Sequence, residues 1–172
     1  MDAFIADINH DFQRHKRLAD AALAELADDA FFRKPGEVVN PVALIVKHLG
    51  GNLLSRWTDF LSTDGEKSTR NRDSEFVLTP QDTRAALMQR WEAGWSALLG
   101  TLHSLHDADL GKTITIRGEA HTVQQALIRG LTHAAYHTGQ ILYLARLFNP
   151  TGTWQTVAPG QSSSHQAAYR KS

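Results

Sequence analysis

Apolar residues recur along most of this chain at steps of three and four, which is the period of an amphipathic α-helix. The pattern predicts four helices: one over residues 2 to about 28, one over about 41 to 62, one whose apolar face runs from Leu87 to Leu102, and one over residues 122–148. Helices of this length, separated by turn signals, are typical of a four-helix bundle. The sequence therefore predicts an all-α fold.

Proline and capping residues indicate where the second and third helices begin. Asn40-Pro41 and Thr79-Pro80 each place an N-cap residue directly before a proline, which is favoured at the first helical position. Asp82 adds a carboxylate in the manner of a capping box. We therefore expect both helices to start at these dipeptides.

Residues 113–116 alternate between polar and apolar side chains, as a β-strand does. Residues 117–119 can turn this segment back through residues 120–122, so we expect a small hairpin-like insertion ahead of the last helix. Thr122 and Gln125 then predict a capping box for the fourth helix, and Asn149-Pro150 is expected to end it.

Two segments lack helical periodicity. Residues 62–78 are polar and predict a long exposed connection between helices two and three, which allows an up-up-down-down order with a crossover. The residues after Pro150 are rich in Gly, Ser and Gln around an isolated Trp154. We expect a bundle domain over residues 1–150, with a C-terminal arm over residues 151–172 that packs on the bundle or on a partner subunit.

Composition narrows the classes of function. The 18 Lys+Arg balance 18 Asp+Glu, and no basic stripe is visible, so we expect no nucleic-acid partner. The absence of cysteine excludes disulfides and thiolate ligands, whereas nine histidines leave imidazole chemistry available. The apolar runs are too short to cross a membrane, and residues 1–4 lack the features of a signal peptide, so we expect a cytoplasmic protein.

Two histidines lie one turn apart on the predicted fourth helix, at His133 and His137, so both rings can face one metal ion. His48 lies beside the apolar stripe of the predicted second helix, where it can supply a third ligand from a neighbouring helix. Three imidazoles leave open coordination positions, as in catalytic metal sites. The alternative is that all three are ordinary histidines satisfied by hydrogen bonds.

Several polar residues near these histidines are candidates for hydrogen bonds to the ligands or for contacts with a substrate: Asn52, Arg70, Arg72, Tyr136 and Gln140. Arg70 and Arg72 could hold the carboxylates of an anionic thiol if their segment folds over the site. The simpler interpretation is that this segment, with Asp73 and Glu75, is a solvated loop.

Other features of the sequence have ordinary interpretations. Gly50-Gly51 in the middle of a predicted helix indicates the close approach of another helix, a ligand or a partner chain. Trp91 and Trp95 are expected in the core or in a dimer interface. Six further histidines are expected at the surface: His10, His15, His103, His106, His121 and His165.

The segments KHLGGN around His48, SRWTDFLSTDGEK, RNRDSEF and HAAYHTGQILYLARL together resemble the DinB/YfiT-like superfamily, and most closely a bacterial branch described as domains of unknown function. The resemblance covers residues 5 to about 165, including APGQSS near the end. It implies a four-helix bundle, often dimeric, in which three histidines bind a divalent ion such as nickel, zinc or iron. His48, His133 and His137 match those three ligand positions.

The resemblance also implies a function, because characterised relatives include transferases and isomerases that use bacillithiol, mycothiol or glutathione. We therefore expect a metal-dependent thiol S-transferase, with a low-molecular-weight thiol and a second copy of the chain as partners. The absence of cysteine is compatible with a sulfur atom that arrives with the cosubstrate. Two alternatives remain open: a hydrolase that uses the same ion to activate water, and a non-catalytic dimeric module that binds metal.

Overall fold

The computed structural model describes residues 2–163, which are mostly helical and include five α-helices and one two-stranded sheet. The helices are α1 (Ala3–Ala24), α2 (Asp28–Phe32), α3 (Val42–Trp57), α4 (Arg84–Ser104) and α5 (Val123–Phe148). Short 3₁₀ turns occupy Asp73–Phe76 and Asp107–Asp109. The strands are β1 (Thr113–Ile116) and β2 (Glu119–Thr122).

Three helix ends differ from the prediction. The first predicted helix stops at Ala24, and α2 forms a separate turn after it. The second predicted helix, which is α3, stops at Trp57, because the chain leaves the helical conformation at Thr58 and Asp59 has a φ of 49°. The third predicted helix, which is α4, starts at Arg84 and not at Pro80, since the Thr83 side chain accepts a hydrogen bond from the Ala86 N–H in the first turn.

The hairpin and the capping box of the last helix are confirmed. β1 and β2 pair antiparallel, and positive φ angles at Arg117 and Gly118 form the tight turn between them. Thr122 accepts a hydrogen bond from the Gln125 N–H, while the Gln125 side chain accepts one from the Thr122 N–H. The helix that follows ends at Phe148, directly before Asn149.

Contacts between the helices give their relative directions. Gly50 of α3 lies against Arg90 and Trp91 of α4, and further along the same pair Thr101 donates a hydrogen bond to the Trp57 carbonyl, so α3 and α4 are parallel. Lys16 pairs with Glu92, whereas Leu23, later in α1, accepts from Arg84, earlier in α4, so these two helices are antiparallel.

The last helix runs with the first. Phe12 of α1 lies near Gly130 of α5, and Glu25, just after α1, accepts a hydrogen bond from Asn149, just after α5. The order of the four long helices is therefore up-down-down-up, and not the up-up-down-down order that the long connection also allowed. The long connection joins the parallel pair α3 and α4, since parallel neighbours require the chain to return along the length of a helix.

The buried core lies between the four long helices and includes Trp57, Trp91 and Trp95, which expose 2%, 0% and 0% of their surfaces. Trp91 and Trp95 are thus core residues, as one of the two interpretations of the sequence expected. The Trp91 indole N–H donates to Asp20 at 2.8 Å, which satisfies its polar atom inside the core.

The connection between α3 and α4 is exposed over much of its length, as the sequence predicted, but parts of it pack against the protein. The Gly65 N–H donates to the Thr115 carbonyl of the hairpin at 2.8 Å, and Lys67 N donates to the Ser55 hydroxyl of α3 at 3.0 Å. Glu75 is completely buried. The segment therefore packs along α3 and the hairpin, and it brings polar side chains into the protein.

The beginning of the C-terminal arm packs on the helices. Thr153 N donates to the Glu25 carboxylate at 2.7 Å, and the Arg146 guanidinium lies over the Trp154 ring at 4.2 Å. His165 lies outside the described residues. Within residues 2–163 no helix is both long enough and apolar enough to cross a bilayer.

Candidate metal centre

Three imidazole rings converge where α3 faces α5. His133 Nε2 lies 3.4 Å from His48 Nε2 and 3.2 Å from His137 Nε2. One ring nitrogen from each of the three residues lies within 4.8 Å of the other two. The structure thus brings together the three histidines that the sequence singled out.

Helix geometry and helix packing create this convergence. His133 and His137 are four residues apart on α5, so their side chains project from the same face. His48 is buried on the side of α3 that faces α5. Because α3 and α5 are antiparallel, one ligand from α3 meets two ligands from α5 at the same height in the protein.

Two acceptors fix the orientation of the outer rings. His48 Nδ1 lies 2.9 Å from Glu75 Oε2, and His137 Nδ1 lies 2.8 Å from Gln140 Oε1. A carboxylate and an amide oxygen can only accept, so both Nδ1 atoms carry a proton, and in the neutral form of each ring the Nε2 atom presents the lone pair. Hydrogen bonds of this kind are typical of histidines that bind metal ions.

Burial keeps two of the rings neutral. Burial, together with the nearby His137 and His48, lowers the pKa of His133 to about 3. Burial also lowers the pKa of His137 to about 4, and the hydrogen bond to Gln140 opposes this effect only in part. Both imidazoles are therefore unprotonated at neutral pH, which is the form that coordinates a metal.

The donor set fits a divalent cation. Two nitrogens at about 2.0–2.1 Å from one ion in tetrahedral geometry lie about 3.3–3.4 Å apart, which agrees with the two separations from His133 Nε2, 3.2 and 3.4 Å. Lone pairs that face each other at this distance repel unless a proton or a cation lies between them. A single proton on His133 Nε2 can form a good hydrogen bond to only one of the other two Nε2 atoms, whereas a metal ion can bind all three nitrogens.

Glu75 is the centre of a buried ionic network behind His48. Arg70 donates to both of its carboxylate oxygens, with Nε 2.9 Å from Oε1 and Nη2 2.7 Å from Oε2, and Arg90 Nη2 lies 3.4 Å from Oε1. Burial would raise the pKa of Glu75, but hydrogen bonds from His48 and Arg70 outweigh it and hold the pKa below its usual value. Glu75 is thus an anion that orients His48.

The glycine pair in α3 makes room for this network and for the neighbouring helix. A Cβ on Gly50 would lie 3.1 Å from the backbone of Trp91, so Gly50 lets α3 and α4 approach closely. A Cβ on Gly51 would overlap Glu75 Oε1 and Arg90 Nη2. The close approach predicted from the sequence therefore exists, with a helix at one glycine and an ion pair at the next.

Two cavities lie on either side of the histidines. One, of about 370 Å³, is lined by His48 and His133 together with four arginines: Arg56, Arg72, Arg117 and Arg129. The other, of about 500 Å³, is lined by His48 and His137 and by mainly apolar side chains that include Val39, Ile45, Phe76 and Leu144. Both volumes are typical of small-molecule sites.

The other candidates from the sequence have different surroundings. Asn52, Arg72 and Tyr136 line the cavity that holds the arginines, and Gln140 lines the apolar one. Arg70 lines neither; its side chain is only 3% exposed and is paired with Glu66 and Glu75. The structure therefore places Arg70 behind the ligands, whereas Arg72 lies at the cavity.

Sequence reasoning missed Glu75, which was expected in a solvated loop. No periodicity marks its segment, and a glutamate between polar residues has the pattern of a surface residue. Two signals were available: the Gly50-Gly51 pair, and the need of a ligating histidine for an acceptor at its other nitrogen. Among the histidines expected at the surface, His15 and His121 are half-buried, and His121 Nε2 lies 3.1 Å from Arg129 Nη1.

The fold and the site define a mostly helical protein with a three-histidine cluster able to hold a metal ion. A family model described as "Protein of unknown function (DUF1572)" matches residues 1–161. The chain belongs to this family, which lies in the DinB/YfiT-like group. No curated protein and no solved structure matches the chain. The family description names no activity, so the function is argued from the geometry.

Proposed function

We propose that His48, His133 and His137 bind a divalent metal ion, with nickel, zinc and iron as the candidates, and that the protein is a metal-dependent enzyme. The observation that carries this proposal is the convergence of the three imidazoles with two Nδ1 protons held by Glu75 and Gln140. The donor set contains only imidazole nitrogens, which suit several transition metals.

The residues around the ion have separate roles in this proposal. When bound, the ion supplies Lewis acidity that lowers the pKa of a thiol or a water molecule reaching it. Glu75 and Gln140 hold two of the ligand rings in position. The cavities next to His133 and His137 give two small molecules access to the cluster from different sides.

The reaction that we propose is the transfer of a low-molecular-weight thiol to an electrophile. A bond forms between sulfur and an electrophilic carbon, the leaving group departs with its electron pair, and the thiol proton passes to solvent. Two observations support this choice: the chain has no cysteine of its own, and the two cavities provide separate space for a thiol and for an electrophile.

The test begins with the metal. Purified protein is depleted with a chelator, reloaded with nickel, zinc or iron(II), and analysed for metal content, with His133→Gln as the ligand variant and His103→Gln at an exposed position as the control. We expect about one ion per chain in the wild type and in His103→Gln, and loss of the ion in His133→Gln. No stoichiometric binding of any of these ions would overturn the proposal.

The reaction is then tested with the loaded protein, a panel of thiols and monochlorobimane. Metal-dependent conjugation with one of the thiols supports the transferase. Turnover of esters or amides without added thiol would replace it by a hydrolase, and stoichiometric metal binding with neither activity would indicate a non-catalytic metal-binding module.

We also propose that the protein forms a homodimer through α5. One face of this helix carries apolar side chains at intervals of four to eight residues, at Ile128, Tyr136, Tyr143 and Leu147, which are 49–72% exposed. Tyr136 also lines the cavity with the arginines, and Tyr143 and Leu147 line the apolar one, so a second copy on this face would border both cavities. A stripe of this kind supports pairing with a second copy. Light scattering after gel filtration measures the mass, and a monomer at micromolar concentration would contradict the proposal.

A further inference from the structure

The cavity beside His48 and His133 has an unusual charge. The arginine pocket, as we call it, is lined by Arg56, Arg72, Arg117 and Arg129, and none of the described residues that line it is acidic. It lies where α3, α5, the tip of the hairpin and the connection after α3 come together. Four like charges around one cavity repel each other, so a ligand of opposite charge would stabilise the pocket.

Arg56 shows this excess of charge most clearly, because it is buried and forms no ion pair with any of the described residues. The residue is only 6% exposed, and within residues 2–163 its one hydrogen bond is from Nε to the Gly65 carbonyl, at 3.4 Å. No ion pair to Arg56 is present in that part of the chain. Burial, together with the charge of Arg129 and other neighbours, lowers the pKa of Arg56 to about 10. Among the described residues its terminal nitrogens have no hydrogen-bond partner, and the residue lines the cavity.

The other three arginines are weakly paired. Arg129 lies 3.1 Å from His121 Nε2, and Arg72 lies over the Phe76 ring at 5.1 Å. Among the described residues neither arginine has an ion pair. Arg117 is 3.5 Å from Glu66. That glutamate is held more closely by Arg70, at 2.9 Å. The surrounding acidic groups therefore leave an excess of positive charge at the pocket.

Such a pocket costs stability in the empty protein, since four like charges repel each other and the largely buried Arg56 has no ion pair among the described residues to offset its partial removal from water. The cost is compatible with folding if a ligand of opposite charge occupies the site. Guanidinium groups bind carboxylates and phosphates through paired hydrogen bonds, and several of them together favour a group that carries two negative charges.

We propose that the arginine pocket binds the dianionic part of a small substrate, either a phosphate group or a pair of carboxylates. Its position beside His48 and His133 places the rest of this molecule at the histidine cluster, and this second statement rests on the proposed metal-dependent function. The apolar cavity on the other side, next to His137, then accepts an uncharged second reactant.

Binding of the anion is tested first without any metal. Chelator-treated protein is titrated calorimetrically with inorganic phosphate and with succinate at constant ionic strength, and its thermal unfolding is followed in both. We expect saturable binding of at least one anion, and the two titrations distinguish the phosphate from the dicarboxylate. Arg129→Gln and Arg117→Gln should each weaken binding at least tenfold, whereas Arg17→Gln on α1 should bind like the wild type.

The stability of the variants separates a binding role from a structural one. Arg129 and Arg117 are exposed, so both variants are expected to fold. In the absence of anion, Arg129→Gln should unfold at the same temperature as the wild type or at a higher one, because repulsion of Arg56 is relieved. A lower unfolding temperature without anion, or equal anion binding by the variants and the wild type, would overturn the proposal.

A third probe distinguishes failure of the pocket from failure of the proposed function. Mercaptosuccinate carries both a thiol and two carboxylates, so the metal-loaded protein should bind it more tightly than succinate, and the arginine variants should weaken both ligands. If metal gives mercaptosuccinate no advantage while the variants still weaken succinate, the pocket is supported and the thiol function fails. If the metal-loaded protein binds mercaptosuccinate more tightly than succinate but the arginine variants change the affinity for neither ligand, the proposed anion pocket is overturned.

Discussion

His48 Nδ1 and Glu75 Oε2 lie 2.9 Å apart, and their side chains are only 5% and 0% exposed. The pair connects α3 to the segment that follows it, and it decides which nitrogen of His48 faces α5. The same carboxylate accepts hydrogen bonds from Arg70 and Arg90, so its charge is balanced inside the protein. The candidate metal centre thus depends on an ionic network as much as on its three ligands.

Replacing the carboxylate tests this dependence. Glu75→Gln keeps the shape of the side chain but removes the charge, so the His48 ring loses a strong acceptor. We expect the affinity for a divalent ion to fall about 10- to 100-fold, which is the range for residues that orient metal-binding histidines. Competition with a chromogenic chelator measures the change.

The control for this variant is Glu119→Gln on the hairpin. Circular dichroism must show that both variants are folded, because Glu75→Gln also leaves Arg70 and Arg90 with a neutral partner and is expected to lower the free energy of unfolding. Unchanged metal affinity in folded Glu75→Gln would show that Glu75 does not orient a ligand.

Gly51 allows Glu75 and Arg90 to approach α3, and alanine scanning of glycines tests this. Gly51→Ala should lower the free energy of unfolding by about 1–3 kcal/mol, because its Cβ overlaps the ion pair. Gly100→Ala in α4 meets open space and should instead raise it by about 0.5–1 kcal/mol, since alanine is the better helix former. Urea unfolding measures the free energy of unfolding of both variants. Stabilisation by Gly51→Ala would contradict the close contact of Gly51 with Glu75 and Arg90.

Metal binding should stabilise the folded protein. At a free ion concentration of 100 Kd, linkage predicts an increase of about 2.7 kcal/mol in the free energy of unfolding of the wild type. His137→Gln should lose this increase, whereas His103→Gln should retain it. Chelator-treated samples give the baseline in urea unfolding, and an equal response of His137→Gln and the wild type would show that the ion binds elsewhere.

The depressed pKa values of His133 and His137 predict how pH affects the metal-free protein. In the unfolded chain both histidines titrate near pH 6.5, whereas in the folded protein their pKa values are about 3 and about 4. Between these limits the unfolded state binds more protons, so the free energy of unfolding should fall as the pH is lowered from about 6.5.

Urea unfolding between pH 7 and about 5.5 measures this slope, above the range in which the unfolded state takes up a proton at Glu75, whose pKa is lowered in the folded protein. The double variant His133→Gln/His137→Gln should show a shallower slope than the wild type, and His103→Gln should match the wild type. Equal slopes in the double variant and the wild type would mean that the two rings are not held neutral by burial.

Several elements follow from local sequence alone. The spacing of His133 and His137 places both on one face of a helix whatever the rest of the chain does. The capping box at Thr122 and the tight turn at Arg117-Gly118 are equally local, since each depends on neighbouring residues and their backbone angles. These features were predicted correctly because their energies arise within a few residues.

The start of α4, the third predicted helix, was placed incorrectly from local sequence alone. Thr79-Pro80 with Asp82 has the pattern of a helix start, and Asp82 Oδ2 indeed accepts hydrogen bonds from Thr79. The same carboxylate lies 2.8 Å from Lys47 of α3, and the helix begins only after Thr83. A contact with another helix thus fixes the geometry of a turn that the sequence alone would extend into a helix.

The sequence by itself determined the helical pattern, the hairpin and the shared helix face of His133 and His137, because periodicity, capping and ligand spacing are properties of nearby residues. His48 meets these two rings only through the packing of α3 against α5. Only the tertiary structure decided the direction of each helix, the burial of Glu75 and the collection of Arg56, Arg72, Arg117 and Arg129 around one cavity. Those features depend on residues far apart in the chain. Their charges look like surface charges until packing removes the water around them.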